Sequence, residues 1–158
     1  MNEGLILTLM LWIASVSGYH IQTIPKVIYN THEELVHNLY GCEKQTSDNE
    51  YWCNAPLKEN NVLGIYNNDA KTIYFRNDLG SEYSKIAQQS ILVHELVHHM
   101  QYESGKYFRC RGEKEEEAYE LQNQWLIEQG KKGVIETLNL NGLFLMMISS
   151  CTDELFGG

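Results

Sequence analysis

Two segments in the second half of the chain carry apolar residues at helical spacing. The first covers residues 81–102, where Ser81 can cap the start and Ser104 and Gly105 stop the helix. The second covers residues 113–130 and ends at a glycine. Apolar positions recur three or four residues apart in both, as in helices that bury one face: Ile86, Ile91, Leu92, Leu96 and Val97 in the first, and Ala118, Leu121, Trp125 and Leu126 in the second.

Short runs of β-branched and aromatic residues predict strands earlier in the chain. Residues 62–66 and 72–75 are two such runs, and the Asn- and Asp-rich turn between them predicts a β-hairpin. Residues 24–29 predict a further strand, followed by a helix that Thr31 and Glu34 open as a capping box. The apolar tail, residues 134–148, predicts a core helix that is too short to cross a membrane. This mixture predicts the α+β class.

The N-terminal segment differs from the rest of the chain. Residues 5–14 are apolar apart from one Thr, and small residues follow as far as Gly18. Such a run is too short for a stable membrane span but suits the apolar region of a signal peptide, although no Lys or Arg precedes it. We therefore predict a signal peptide over residues 1–18, an exported protein, and a single domain over residues 19–158. The alternative is a buried or anchoring N-terminal helix.

The cysteines agree with export. They form no CxxC pair, which is evidence against a cysteine zinc site or a redox motif. An even number of cysteines in an exported chain favours disulfides. Three pairings are possible, and we predict Cys42–Cys53, which closes a short polar loop, and Cys110–Cys151, which ties the tail to the core. Buried free thiols are the alternative.

The net negative charge of the chain argues against nucleic acid as a partner. The chain of 158 residues has a formal net charge of −9 and no cluster of Lys and Arg. Because it would repel a phosphate backbone, we expect no nucleic-acid partner. The acidic residues are concentrated between 113 and 120. A solvated helix face explains such a run, and the alternative is that one carboxylate turns inward onto a cation.

The first long helix contains an HExxH sequence, from His94 to His98. Residues four apart lie on one helix face, so both imidazoles can bind one Zn²⁺. Glu95 can then act as the general base that takes a proton from a zinc-bound water. The metzincin extension of this motif is absent, since Gln101 and Ser104 stand where it needs Gly and His.

A third ligand must come from another element, and the acidic helix is the obvious donor. Glu115 shares its face with Ala118, whose small side chain lets two helices approach closely. Glu117 shares its face with Glu120 and Leu121 instead. We predict Glu115 as the ligand, with Glu117 as the alternative.

The HExxH residues and the following segment, residues 115–119, resemble the gluzincin arrangement of metallopeptidases, in which a Glu on the next helix completes the site. The resemblance covers roughly residues 60–128. The sequence departs from the gluzincin pattern at Tyr119, since an Asp or Asn is common at this position in gluzincins. In gluzincins a strand before the HExxH helix pairs with extended substrate, and the resemblance assigns that role to residues 71–76.

The resemblance implies a minimal zincin-like domain, a small antiparallel sheet packed on the HExxH helix with a Glu-bearing helix after it. It also implies zinc ligation by His94, His98 and Glu115, with Glu95 catalytic. The expected function is that of an exported zinc metallopeptidase acting on a peptide or protein. One alternative is a non-catalytic zinc-binding module. The other is an intracellular regulatory peptidase whose N-terminal helix is not cleaved.

Three tyrosines are candidates to stabilise an oxyanion: Tyr102, Tyr107 and Tyr119.

Overall fold

The computed structural model describes residues 3–39, 43–44, 51–52 and 62–151. A short 3₁₀ helix, Leu79–Ser81, precedes the longest helix. The architecture is α+β, as predicted. In chain order, the other elements are α1 (Glu3–Ser17), β1 (Lys26–Asn30), α2 (His32–Leu39), β2 (Glu43–Lys44), β3 (Tyr51–Trp52), β4 (Gly64–Asn67), β5 (Thr72–Arg76), α3 (Lys85–Ser104), α4 (Arg111–Glu128), α5 (Val134–Leu138) and α6 (Gly142–Ile148).

The main sheet has three strands in the order β1-β5-β4. β4 and β5 form the predicted hairpin, with Gly64 opposite Phe75 and Asn67 opposite Thr72. β1 pairs with the other edge of β5 and runs parallel to it. The sheet is therefore mixed rather than wholly antiparallel, because α2 and further chain separate β1 from β5 and allow a crossover. As a result, β5 is the central strand.

Local capping fixes where α2 and α3 begin. Before α2, the Thr31 backbone N–H donates to the Glu34 carboxylate, and the Glu34 N–H donates to the Thr31 hydroxyl, which is the predicted capping box. α3 begins after Ser84, rather than at Ser81, because the Ser84 hydroxyl accepts from a backbone N–H of the first turn at 3.3 Å. Gly105 ends α3 in the left-handed conformation, with φ 64°.

Helix α3 is the centre of the core, and α4 packs against it in the antiparallel sense. Residues 91–97 of α3 are all buried. The Gln122 amide of α4 donates to the Ser90 hydroxyl at 3.2 Å, whereas the Gln101 amide donates to the Lys114 carbonyl at 3.0 Å. Ala118 is fully buried between these two contacts along α4. Small side chains such as Ala118 allow the close approach of the helices that the sequence predicts.

Helix α1 also belongs to the core. Its buried residues, Ile6, Leu9, Met10 and Ile13, join the same apolar cluster as α3. The Trp12 indole N–H donates to the Glu128 carboxylate of α4 at 2.7 Å. Of the helices in the described ranges, none has both the length and the apolar character needed to cross a bilayer. The signal peptide over residues 1–18 stays a prediction.

The tail does not form one core helix over residues 134–148. Asn139 adopts the left-handed conformation, with φ 52°, and ends α5. The Asn141 side chain then caps α6 by accepting from the backbone N–H two residues later at 2.9 Å. Val134 and Leu138 of α5 are buried, but α6 buries none of its residues. The prediction of a core helix is therefore wrong for α6.

A disulfide joins the start of α4 to the chain after α6. Cys110 and Cys151 are bonded, with their Cα atoms 5.7 Å apart, as predicted. Gly112 lies beside this link, where a Cβ would be 2.5 Å from the Ser150 carbonyl oxygen. A glycine there lets the tail contact the first turn of α4 closely. The predicted Cys42–Cys53 bridge lies outside the described residues.

We predict that Cys110→Ala/Cys151→Ala lowers the free energy of unfolding by up to about 4 kcal/mol, because the bond closes a loop of 41 residues. Urea unfolding of oxidised protein measures the change. The single Cys110→Ala variant should lose as much as the double variant, since either removes the same bond. Wild-type stability in the double variant would contradict the prediction.

Candidate metal centre

Two histidines of α3 turn towards each other one helical turn apart. The Nε2 atoms of His94 and His98 are 3.1 Å apart. Both rings are largely shielded from solvent, with side-chain exposures of 10% and 18%. The spacing of four residues on one helix produces this convergence, as the sequence predicts.

The third group comes from α4. The Glu115 Oε2 atom lies 3.3 Å from His94 Nε2 and 3.4 Å from His98 Nε2. The Arg111 guanidinium donates to the other Glu115 oxygen at 3.3 Å, which leaves Oε2 directed at the histidines. Glu117 does not join the cluster, because its oxygens accept from residues elsewhere. The structure thus brings Glu115, and not Glu117, to the two histidines.

The spacing of these three atoms fits a metal ion. Bonds of about 2.0–2.1 Å in tetrahedral geometry place ligand atoms about 3.3 Å apart. The separations of 3.1, 3.3 and 3.4 Å among His94, His98 and Glu115 match that value. Two imidazole nitrogens and one carboxylate oxygen are also a donor set that divalent metals accept. The three residues could therefore hold one divalent ion.

Glu115 and the histidines alter each other's pKa values. Burial would raise the pKa of Glu115, but hydrogen bonds with His94 and His98 lower it well below its ordinary value. For His98, burial would lower the pKa, but the hydrogen bond and the charge of Glu115 raise it. The Glu115 carboxylate therefore remains ionised, as a metal ligand must.

Glu95 lies next to the first histidine and contacts strand β4. It is 6% exposed, and this burial raises its pKa despite the opposing charges of His94 and His98. The Tyr66 backbone N–H donates to its carboxylate. A Cβ at Gly64 would be only 3.1 Å from the Glu95 Cγ, so a residue without a side chain lets β4 lie against Glu95. The sequence predicted Glu95 as a general base but indicated no role for Gly64 or Tyr66.

The ring of Tyr119 packs against the ring of His94. The two ring centroids are 4.3 Å apart, with an interplanar angle of 55°. The Nδ1 atom of His94 is buried and has no hydrogen-bond partner among the described residues. The departure from the gluzincin pattern at Tyr119 thus leaves this histidine oriented by contact with an aromatic ring. Of the three candidate tyrosines, Tyr119 is the one in contact with a histidine of the centre, whereas Tyr107 is 83% exposed.

Gln101 contacts the second histidine from the side away from the cluster. Its Oε1 atom lies 2.9 Å from His98 Nδ1. The sequence analysis considered Gln101 only as a mismatch to the metzincin pattern. Its position three residues after His98, on the same helical face, was the signal that could have identified it.

His99, which follows His98, points away from the centre. It is fully buried, and its Nε2 lies 2.9 Å from the Thr23 carbonyl oxygen, to which it donates. The Tyr66 hydroxyl then donates to its Nδ1 at 2.9 Å. Burial lowers the pKa of His99. His99 therefore ties the segment before β1 to the sheet and takes no part in the cluster.

The strand beside the centre is β4 rather than β5. The role of substrate strand that the resemblance assigns to residues 71–76 is wrong, because β5 is paired on both edges. The Arg76 N–H donates to the Leu63 carbonyl at 3.2 Å. Since hydrogen-bonded pairs alternate along antiparallel strands, the backbone groups of Gly64 and Tyr66 face the other edge of β4. That edge is unpaired within the described ranges, and it lies against Glu95.

Comparison with known proteins identifies a family. A family model described as "Domain of unknown function (DUF6647)" matches residues 3–155. The chain belongs to this family. No curated protein and no solved structure matches the chain. The description of this family names no activity, so only the residues of this chain indicate its chemistry.

We predict that this DUF6647 chain binds one divalent metal ion and that Glu115→Gln weakens the affinity for zinc, used as the probe ion, by more than about 100-fold. Loss of a direct ligand should exceed the 10–100-fold effect typical of residues that only support one. Competition with a chromophoric chelator measures the affinity.

The exposed neighbour Glu116 provides the matched control. Glu116→Gln removes the same charge one residue away and should leave the zinc affinity unchanged. An equal loss in both variants would show that net charge, and not ligation, is responsible.

Proposed function

We propose that this protein is a zinc-dependent hydrolase, a metallopeptidase of the gluzincin type that cleaves peptide bonds. The observation that carries the proposal is the placement of Glu95. It lies on α3 beside the His94, His98 and Glu115 cluster and also against the edge of β4 that is unpaired among the described residues. A structural zinc site needs four protein ligands but no buried carboxylate beside them.

His94, His98 and Glu115 would hold the ion. When bound, zinc supplies a Lewis acid that polarises a carbonyl group and makes water more acidic. Three protein ligands leave one position for water or substrate, as in catalytic rather than structural sites.

Glu95 acts as the general base in this proposal. It accepts a proton from the attacking water and later delivers it to the departing amine. Burial makes its carboxylate more basic than an exposed one, since it raises the pKa. The Tyr66 backbone N–H orients the carboxylate, so the base is held in place before substrate binds.

The edge of β4 is the proposed docking site for the peptide. An extended substrate can add to an unpaired strand edge through main-chain hydrogen bonds. Such a peptide would pass Gly64 and Tyr66 and therefore come alongside Glu95. Pairing through the backbone suits a peptide or protein substrate.

Tyr119 is the proposed donor to the oxyanion. Burial is the main cause that raises the pKa of its phenol, and the charges of Glu115 and Glu95 raise it further. The phenol therefore keeps its proton and can donate a hydrogen bond when negative charge develops on the carbonyl oxygen.

The disulfide supports a location outside the reducing cytosol, since Cys110 and Cys151 are bonded. Export thus remains our proposal for localisation. The packing of α1 into the core favours the alternative in which the N-terminal helix is retained rather than cleaved. The peptidase mechanism is the same in either case, because no residue of α1 enters the cluster.

We predict that Glu95→Gln loses at least about 10²–10⁴-fold in hydrolysis while it keeps both fold and bound metal. Gln has nearly the same shape but cannot accept the proton. Cleavage of a mixed peptide library, together with metal content, measures both properties.

His98→Ala serves as the contrast to Glu95→Gln, since it should lose metal and activity together. Zinc-loaded wild-type protein that cleaves nothing from the library would favour the non-catalytic zinc-binding module. Full activity in Glu95→Gln would rule out Glu95 as the base.

We predict that Tyr119→Phe lowers kcat by about 10²–10³-fold with little change in zinc affinity. Phe retains the ring that packs on His94 but lacks the hydroxyl. Steady-state kinetics and chelator competition separate the two effects. Tyr119→Ala, which removes the ring as well, should also weaken zinc binding. Unchanged kcat in Tyr119→Phe would assign Tyr119 to packing alone.

A further inference from the structure

We propose that Gln101 is a positioning residue that fixes which nitrogen of His98 faces the metal, and that Glu117 holds Gln101 in place. The relevance of this positioning role to catalysis rests on the proposed function, in which His98 is a metal ligand. The hydrogen bonds themselves are independent of any activity.

The orientation of the Gln101 amide is decided by its two outer partners. The Nε2 atom lies 3.0 Å from the Lys114 carbonyl oxygen and 2.9 Å from Glu117 Oε2. A carbonyl oxygen and a carboxylate oxygen can only accept. The group facing them must therefore be the amide NH₂, and the amide oxygen must face His98.

The orientation of the amide in turn decides the tautomer of His98. The Gln101 Oε1 atom can only accept, and it lies 2.9 Å from His98 Nδ1. A proton must therefore sit on Nδ1 of the neutral imidazole. The other nitrogen, Nε2, faces Glu115 Oε2 at 3.4 Å. It donates to that oxygen while it carries a proton and offers its lone pair to a metal once that proton is lost. The hydrogen bonds thus prepare His98 for ligation through Nε2.

Glu117 is held from the far side by two donors. The Lys106 ammonium lies 2.7 Å from its Oε1, and the Tyr19 hydroxyl donates to its Oε2 at 2.6 Å. Gln101 itself is 3% exposed, so water cannot easily replace these partners. A continuous chain of hydrogen bonds therefore runs from Tyr19 through Glu117 and Gln101 to His98.

The two histidines are supported differently. His94 Nδ1 has no hydrogen-bond partner in the described part of the chain, and the Tyr119 ring packs against this histidine instead. Only His98 of the pair has a hydrogen bond that sets its tautomer among the described residues. Loss of Gln101 should therefore not be compensated from the His94 side.

The first experiment compares zinc affinities of full-length variants by chelator competition. Gln101→Leu should weaken binding by about 10–100-fold, the usual effect of losing the partner of a ligating histidine. Gln122→Leu is the matched control, because Gln122 is also buried between α3 and α4 but donates to Ser90. This control should keep the wild-type affinity. Wild-type affinity in Gln101→Leu, or an equal loss in both variants, would overturn the proposal.

The second experiment tests whether Glu117 acts through Gln101. Glu117→Leu should weaken zinc binding in the wild-type background and have no further effect in the Gln101→Leu background. A long-range effect of the lost charge would persist in both backgrounds. Additive losses would overturn the role given to Glu117.

The third experiment needs no substitution. Nitrogen NMR of zinc-loaded protein should show the proton of His98 on Nδ1 and Nε2 as the ligating atom. A proton on Nε2 would overturn the inference. This result is separate from the proposed function, which fails if zinc-loaded protein hydrolyses nothing. The tautomer and the affinity losses would still be observed in that case.

Discussion

The close packing of α3 against α4 is the constraint on which the candidate site depends. The histidines are fixed within one helix, but a carboxylate can reach them only if the two helix backbones approach closely. Ala118 and Ser90, both fully buried with small side chains, make this approach possible. The Cys110–Cys151 bond then ties the first turn of α4 to the tail. Glu115 lies in the next turn, so the same packing that buries the core also sets its position.

Sequence reasoning succeeds where geometry is set within one element. The spacing of His94 and His98 determines their common face in any α-helix, and Glu95 must then lie beside the first of them. The capping box at Thr31 and the hairpin before α3 are also local, and the structure has both. Even the choice of Glu115 over Glu117 followed a local argument, the small residue at position 118.

Relations between distant elements were not predictable in the same way. The parallel pairing of β1 with β5 depends on the path of the chain between them, and it makes β5 central. In the part of the chain that the structure describes, the unpaired edge therefore belongs to β4, a strand that no sequence pattern singled out. The pattern of apolar residues also did not predict the break in the tail at Asn139, because it carries no information on a residue that adopts the left-handed conformation. The spacing of Gln101 from His98 is local, but the partners that orient its amide, Lys114 and Glu117, come from a second helix and could not be predicted.

The glutamates of the acidic segment, residues 113–120, have different surroundings and therefore different roles. A residue two positions further along a helix is turned by about 200°, so Glu115 and Glu117 cannot face the same group. Glu115 meets the two histidines, and Glu117 meets Lys106, Tyr19 and Gln101. Glu116, between them, is exposed. A carboxylate shielded from solvent needs several donors, and both the buried Glu115 and the half-buried Glu117 have them. The negative charge of α4 therefore supplies a candidate ligand in Glu115 and a support for Gln101 in Glu117, while Glu116 and Glu120 face solvent.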